Sequence, residues 1–307
     1  VRINVVLSQN SMRFGCSTNS VTIQSLFVAT RNALNASMIS DSDIEAEVLI
    51  RHALDMDRAQ YFASLTDTVS PCDSETLQEL VALRLGGEPL SYITGTKEFY
   101  GLEIAVNLNV LIPRQETELV VDLALDYIGN RLNRGSRPVA DVADVCTGSG
   151  AIGVAVAVNC DNVKIVASDI DSSAIEVAEH NFNAHGVADK ALMVKSDLMK
   201  KSPGPYDLIL CNPPYIPTAM LTTLAIEVQN EPVVALDGGV DGLGVFRRLI
   251  IQSKSALRTS GAIIVELMPE QMEPALGFAR NAFPCADVER IEDLAGNPRA
   301  LIVYQEA

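Results

Sequence analysis

From residue 139 onward the chain alternates between short apolar runs and helical segments, and this alternation restricts its fold more than any other feature. The runs are "VADVADVC", "KIVASD", "ALMVKSD", "YDLILCN" and "GAIIVEL"; between them "DSSAIEVAEHNFNAHG" and "GVFRRLIIQSKSALRTSG" carry apolar residues at helical spacing. Near-continuous apolar strands are those buried on both faces. The pattern therefore predicts an α/β fold, a mostly parallel sheet covered by helices. Ligands of such sheets bind beyond the carboxyl ends of the strands, where the strand order reverses. The final stretch, "ADVERIEDLAGNPRALIVYQ", reads as two strands around a Gly-Asn-Pro turn, with an antiparallel strand that an ordinary dinucleotide-binding domain lacks.

The preceding residues differ in character. Residues 21–87 read as a small helical domain for docking or capping, with no glycine-rich loop or acid cluster. Within it "SDSDIEAEVLIRHALDMD" is expected to place Ile44, Val48 and Leu49 near one face, and "SETLQELVALRLGG" to do so with Leu77, Leu80, Val81 and Arg84 before Gly86-Gly87 ends the helix. Residues 88–115 read as a linker and a β-hairpin, broken by Gly95 and Gly101. Helix returns at Glu116–Ile128, opening a third region over 116–307. Residues 1–20 lack a signal-peptide layout and are expected to be a flexible extension; Met12 is an alternative start.

Acidic residues outnumber basic ones 39 to 23, a net charge of −16. Such a surface repels phosphate backbones, so direct nucleic-acid binding is not expected, and a basic protein partner fits better. Six cysteines and three histidines show no metal-ligand spacing, so no metal site is expected. Unpaired thiols and the lack of any apolar stretch near the roughly 18 residues of a membrane helix point to the cytoplasm. Nothing requires more than a monomer.

Chemistry concentrates at four strand tips. The first, "DVCTGSGAIG", runs into Gly148-Ser149-Gly150, where glycines permit a tight turn and close approach of a ligand. Gly148, Gly150 and Gly153 also satisfy G-x-G-x-x-G, so a nicotinamide or flavin reading stays open, as does a turn with no ligand. The second tip is Asp169, nineteen positions after Gly150. Its carboxylate can accept from both hydroxyls of a ribose, or it can cap the next helix, a role open equally to Asp171. The third is Asp197, suited to an adenine amino group with Leu198 against the ring, or to a cap.

The fourth tip is "CNPPYIP". Two prolines supply no amide protons and cannot continue a central strand. If this strand lies beside the first, Asn212 sits next to the glycine turn. Its side-chain carbonyl and the Pro213 carbonyl can then hold one NH₂ group, with Pro214 stiffening the corner and Tyr215 stacking on a planar amide or base. Two acceptors on one NH₂ suit methyl transfer to nitrogen and leave hydride transfer unexplained.

With these residues in view the chain resembles the release factor glutamine methyltransferases, the HemK/PrmC type, over roughly Ser40 to Ile302. The shared motifs are "GEPLSYITGTKEFYG", "VLIPRQETE", the glycine turn, "NPPYIP" and "EPVVALDGGVDGL". Asn-Pro-Pro-Tyr alone is shared with nucleic-acid amino-methyltransferases; joined to the other motifs it becomes specific. The resemblance implies a Rossmann-like class I methyltransferase domain with an antiparallel C-terminal strand. It implies S-adenosylmethionine as donor, and as acceptor the glutamine of the Gly-Gly-Gln loop of class 1 peptide chain release factors. Donor contacts carry over to Cys146, Thr147, Gly148, Ser149, Gly150, Asp169, Asp197, Leu198 and Asn212. Substrate contacts carry over to Asn212, Pro213, Pro214 and Tyr215, with Phe99, Arg114, Gln115 and Glu116 lining or covering the site. Cys146 departs from the glycine or similarly small residue usual in the family.

A nucleic-acid amino-methyltransferase acting on adenine or cytosine is the alternative; it needs a basic face and a flipped base, which the acid excess opposes. A binding module without catalysis leaves the intact Asn-Pro-Pro-Tyr unexplained. Cys146 and Cys211 end strands expected to be neighbours, so the two thiols are either an oxidation-sensitive pair or inert core residues.

Overall fold

A computed structural model describes residues 21–133, 137–202 and 204–305, so the expectation for residues 1–20 lies outside the described residues. The chain divides between Gly86 and Gly87 into two compact units.

The first unit is helical: α1 (Ile23–Ala36), α2 (Ser42–Ala53), α3 (Arg58–Ala63) and α4 (Pro71–Leu85). Local chemistry sets their starts. Thr22 and Asp57 form capping boxes with Ser25 and Gln60, and Ser70 accepts from the Asp73 amide ahead of Pro71 in the first turn. The buried residues of α4 include Leu77, Val81 and Arg84, spaced four and three apart. Arg84 is buried because its guanidinium forms a two-pronged ion pair with Glu45 on α2, Nε to Oε2 at 2.6 Å and Nη2 to Oε1 at 3.0 Å. The face expected for α2 needs correction: Ile44 is 64% exposed, and the buried positions are Ser42, Ala46, Leu49 and Ile50. Small residues at 42 and 46 belong to this buried face, which apolar spacing does not reveal.

The second unit opens with α5 (Leu90–Thr94), where the sequence suggested only a linker, then the hairpin β1 (Thr96–Phe99) and β2 (Leu102–Ala105). Tyr100 and Gly101 both take positive φ at its turn. After α6 (Glu118–Asn133) come β3 (Ala140–Val145), α7 (Ala151–Asn159), β4 (Val163–Asp169), α8 (Ser172–Ala184), β5 (Ala191–Lys195) and β6 (Tyr206–Cys211). There follow the two-residue strand β7 (Ile216–Pro217), α9 (Ile226–Gln229), α10 (Val233–Leu236), β8 (Asp237–Gly239), α11 (Gly244–Ala256), β9 (Leu257–Glu266), α12 (Met272–Ala282), β10 (Ala286–Glu292) and β11 (Pro298–Gln305).

The main sheet has seven strands in the order β10-β11-β9-β6-β3-β4-β5. All neighbours from β5 to β9 are parallel, and β11 runs antiparallel between β9 and β10. The α/β expectation and its antiparallel C-terminal strand are therefore both found. Every residue of β6 is buried, as a central strand covered on both faces requires. One apolar cluster gathers Val142, Leu208 and Ile264 with α6 and α7; the other gathers Val145, Ile209 and Val265 with α11 and α12. The chain leaves β3 toward β4 and β5, then returns to place β6 on the other flank of β3, with Val145 opposite Cys211. That reversal puts the first and fourth tips side by side.

Candidate functional site

Above the reversal lies a cavity of about 470 Å³. Its floor begins with the turn after β3. Cys146, Gly148 and Gly150 all have positive φ, at 59°, 53° and 80°. The three glycines of the motif serve different ends. A Cβ at Gly150 would sit 3.1 Å from the Ala178 Cβ, and one at Gly153 would sit 2.8 Å from the Phe182 ring, so both exist to let α7 close on α8. At Gly148 nothing lies within 4 Å; it faces the cavity.

Buried polar groups hold the turn. Asp144 Oδ2 accepts from the Thr147 hydroxyl at 2.6 Å and from the Gly153 amide at 3.1 Å. Complete burial pushes the Asp144 carboxyl up to about 6, against the lowering effect of those two bonds. Asp169 Oδ2 accepts from the Gly148 amide at 3.0 Å, and its Oδ1 from the Asp171 amide at 3.0 Å. Burial raises the Asp169 pKa while those amides pull it down. Asp171 is the residue that caps α8, accepting from Ser173, so Asp169 is left to the turn and the cavity. Asn181, fully buried, donates to Ser149 O at 2.8 Å and exchanges two bonds with Ala105, tying β2, α8 and the turn together.

Asp197 and Leu198 follow β5 and reach the wall. The Asp197 carboxylate is paired with Lys200 at 2.7 Å and with Arg248, which together hold its pKa low.

Asn212 completes the wall beside Pro214. Its Nδ2 donates to Thr117 Oγ1 at 3.1 Å, and its Oδ1 is buried with no hydrogen-bond partner. Leaving a buried acceptor unpaired costs about 1–3 kcal/mol, so such an atom beside a cavity marks a place where a ligand donor belongs. The corner itself is clamped. Gln271 donates to the Tyr215 carbonyl at 2.6 Å, and Gly238 and Gly242 lie so close that a Cβ would fall 2.7 Å from Pro214 O and 2.2 Å from Tyr215 O. Gly238 and Gly242 of "DGGVDG" are there because the backbone of the fourth tip occupies the space a side chain would need, whereas Gly239 takes a positive φ of 90°.

Known proteins give the same reading. A family model described as "Methyltransferase small domain" matches residues 121–227, and one described as "PrmC N-terminal domain" matches 25–95. The release factor glutamine methyltransferase of Moorella thermoacetica is 34% identical, over 92% of this chain and 98% of its own length. The chain belongs to the release factor glutamine methyltransferase family. A second member, from Geobacter sulfurreducens, is 37% identical over 85% of this chain and 90% of its own. Among solved structures, the hMettl16 catalytic domain in complex with the MAT2A 3'UTR hairpin 6 superposes with a TM-score of 0.55 at 18% identity, covering 75% of this chain and 82% of that one; this likeness concerns the fold alone.

Within this methyltransferase the structure gathers Cys146, Thr147, Gly148, Ser149, Asp169, Asp197, Leu198, Asn212 and Pro214 on one cavity wall. Other expected site residues lie elsewhere. Gly150 is turned to α8, as its Ala178 contact requires. Phe99, expected to line the site, is 1% exposed and packs in the core cluster with Ile104 and Val120. Arg114 points to the buried Glu231, and Gln115 and Glu116 are exposed; from that segment Pro113 and Thr117 reach the wall instead. Pro213 is buried behind the wall. Tyr215 is not free to stack: its hydroxyl donates to Glu266 Oε1 at 3.3 Å, and burial together with the Glu266 charge raises its pKa.

Wall residues that the sequence reading did not assign to the site include Asn109–Leu111, Val233–Ala235 and Arg248. Glu231 links the first two, accepting from the Ile112 amide at 3.0 Å while pairing with Arg114. A buried glutamate 117 positions from its arginine leaves no local trace in the sequence. Cys146, half-buried on the wall, adjoins the buried Cys211, whose thiol is pushed well up by burial and by its neighbour.

Proposed function

We propose that the chain transfers a methyl group from S-adenosylmethionine to the side-chain amide nitrogen of the glutamine in the Gly-Gly-Gln motif of peptide chain release factors. The observation that carries this reading is the buried, unpartnered Oδ1 of Asn212 on the wall of a cavity that also holds the glycine turn.

The donor set fits that methyl donor. Gly148 leaves open space where a Cβ would stand, Asp169 offers a carboxylate at the tip of β4, and Leu198 presents an apolar surface beside Asp197. These residues, with Thr147 and Ser149, would hold it. When bound it supplies an electrophilic methyl group on a sulfonium.

The chain's residues do the rest by positioning. An amide nitrogen is a poor nucleophile because its lone pair is delocalised into the carbonyl. Asn212 Oδ1 accepts from one of its hydrogens, and stabilises it more as it pyramidalises and its hydrogens gain charge. Holding that nitrogen in line for attack contributes the proximity effect. No strong base is needed, because the alkylated nitrogen is acidic enough to lose its proton afterwards. Exposed apolar side chains at the mouth, Val233 and Val234, suit a protein loop better than a polyanion, and the net charge of −16 agrees.

The test is labelled donor with purified release factor, its Gln→Ala form and a DNA control. Label is expected on the wild-type factor alone. In Asn212→Ala, turnover should fall at least about 100-fold, while donor affinity stays within about tenfold, as loss of a group acting in the transition state requires. Label on DNA, or unchanged turnover in the variant, would refute the reading.

A further inference from the structure

Two parts of the cavity wall cannot hold themselves in place. Residues 106–114 form neither helix nor strand, and from them Asn109, Val110, Leu111 and Pro113 reach the wall. Val233–Ala235 lie in α10, a helix of only four residues. A stretch without ladder bonds and a single helical turn are ordered by tertiary contacts or not at all. Pro113 and Pro232 also remove two amides that could have joined them.

Glu231 supplies the join. Its side chain is 2% exposed and both of its oxygens are used. Oε2 accepts from the Ile112 amide at 3.0 Å, and Oε1 pairs with the Arg114 guanidinium. A charge carried by one segment is thus gripped twice by the other, and a buried carboxylate tolerates the loss of neither partner well. Each segment is braced behind as well: the Tyr92 hydroxyl donates to Val110 O at 2.6 Å, and Asn230 Nδ2 donates to Gly87 O at 2.8 Å. The Asn212 corner has a separate clamp, made by Gln271, Gly238 and Gly242.

We propose that Arg114 and Glu231 act as one strut that holds these two wall segments in the ligand-binding arrangement, and that both are positioning residues for donor and release factor. Arg114 serves the site through Glu231 rather than by touching the substrate. Without the strut that arrangement is populated only part of the time, and apparent affinity falls by the same fraction. Saturating ligands restore it, and the corner is clamped independently, so the chemical step is spared. The release factor half of the inference rests on the proposed function; the donor half does not.

The experiment measures donor affinity and melting temperature by calorimetry, with kcat and KM for release factor methylation, in four variants. Glu231→Gln leaves one acceptor oxygen where two are used. Glu231→Asp keeps the charge on a side chain one methylene shorter. Arg114→Gln removes the cation, and the fourth is the double variant Arg114→Gln/Glu231→Gln. Each single variant should weaken donor binding and raise KM about tenfold, within the range of a lost hydrogen bond to a charged group. At saturation kcat should stay within about threefold of wild type. The double variant should be no weaker than Arg114→Gln, because both changes break the same strut and the second removes the stranded charge.

Wild-type donor affinity in both Glu231 variants, additive losses in the double variant, or a kcat loss as large as the KM change would each overturn the inference. A raised KM in Arg114→Gln beside a normal Glu231→Gln would also overturn it and make Arg114 a direct substrate contact. If Arg114→Gln does not fold, the two Glu231 variants decide alone. Full activity in Asn212→Ala would sink the proposed function and leave the donor measurements to judge the strut.

Discussion

Replacing Gly242 by alanine puts a methyl group where the chain has no room. The new Cβ would stand 2.1 Å from Gln271 Nε2 and 2.2 Å from Tyr215 O, on a residue whose φ is +75°. Three costs follow. A left-handed conformation with a Cβ costs roughly 1–2 kcal/mol. The 2.6 Å bond from Gln271 to the Tyr215 carbonyl must break, worth about 1 kcal/mol. Forcing an atom into packed surroundings adds about 1–3 kcal/mol. A total near 3–6 kcal/mol lowers the melting temperature by roughly 10–15 °C in a unit of this size. The chain's alternative is to move the fourth tip, and a displacement near 1 Å costs about 100-fold in rate. Gly296→Ala is the control: φ is +80° there, but nothing lies within 4 Å, so only the backbone cost of roughly 1–2 kcal/mol applies. Calorimetric melting and labelled-donor turnover of the two variants test the reasoning. Equal melting temperatures together with equal turnover would refute it, because the collision is the only difference argued between them.

Asp169→Ala should weaken donor binding about 10–100-fold by calorimetry, since both the ligand-facing carboxylate and the anchor of the Gly148 amide are lost; unchanged affinity removes Asp169 from the site. Asp144 should impose a pH dependence on stability. Its folded pKa, pushed up to about 6 by burial, exceeds the unfolded value of 3.8, so the folded state holds the proton longer and stability falls as pH rises between those values. The penalty is absent below about pH 4 and complete, near 3 kcal/mol, above about pH 6. The melting temperature of Asp144→Asn relative to wild type should therefore rise across that window and level off above it; a pH-independent difference would contradict the assignment. Cys146 lies on the cavity wall and Cys211 beneath it, so saturating S-adenosylmethionine should slow alkylation of the Cys146 peptide without changing Cys72 or Cys285, both exposed. Peptide-level mass spectrometry that finds no protection would place Cys146 outside the donor's reach.

The architecture was legible because its causes are local. A short apolar run such as "YDLILC", stopped by Asn-Pro-Pro, reads as a strand buried on both faces, and its alternation with helical segments yields the strands, their parallel sense and the residues at their ends. Asn212, Asp169 and Gly148 could be named from the sequence for that reason: each ends a buried strand or lies within three residues beyond one. What those residues face was decided by tertiary structure alone. Phe99 reads as a site residue and is core; Tyr215 reads as a stacking ring and is turned to Glu266. Glu231 beside Arg114, Asn181 beneath Ser149, and Gly242 against Tyr215 join segments 27 to 117 residues apart, through single hydrogen bonds or one close backbone approach. Side-chain periodicity reports which face of an element is buried, but carries no information about the partner waiting there. Hydrogen bonding and excluded volume choose that partner only once the sheet has brought the tips together.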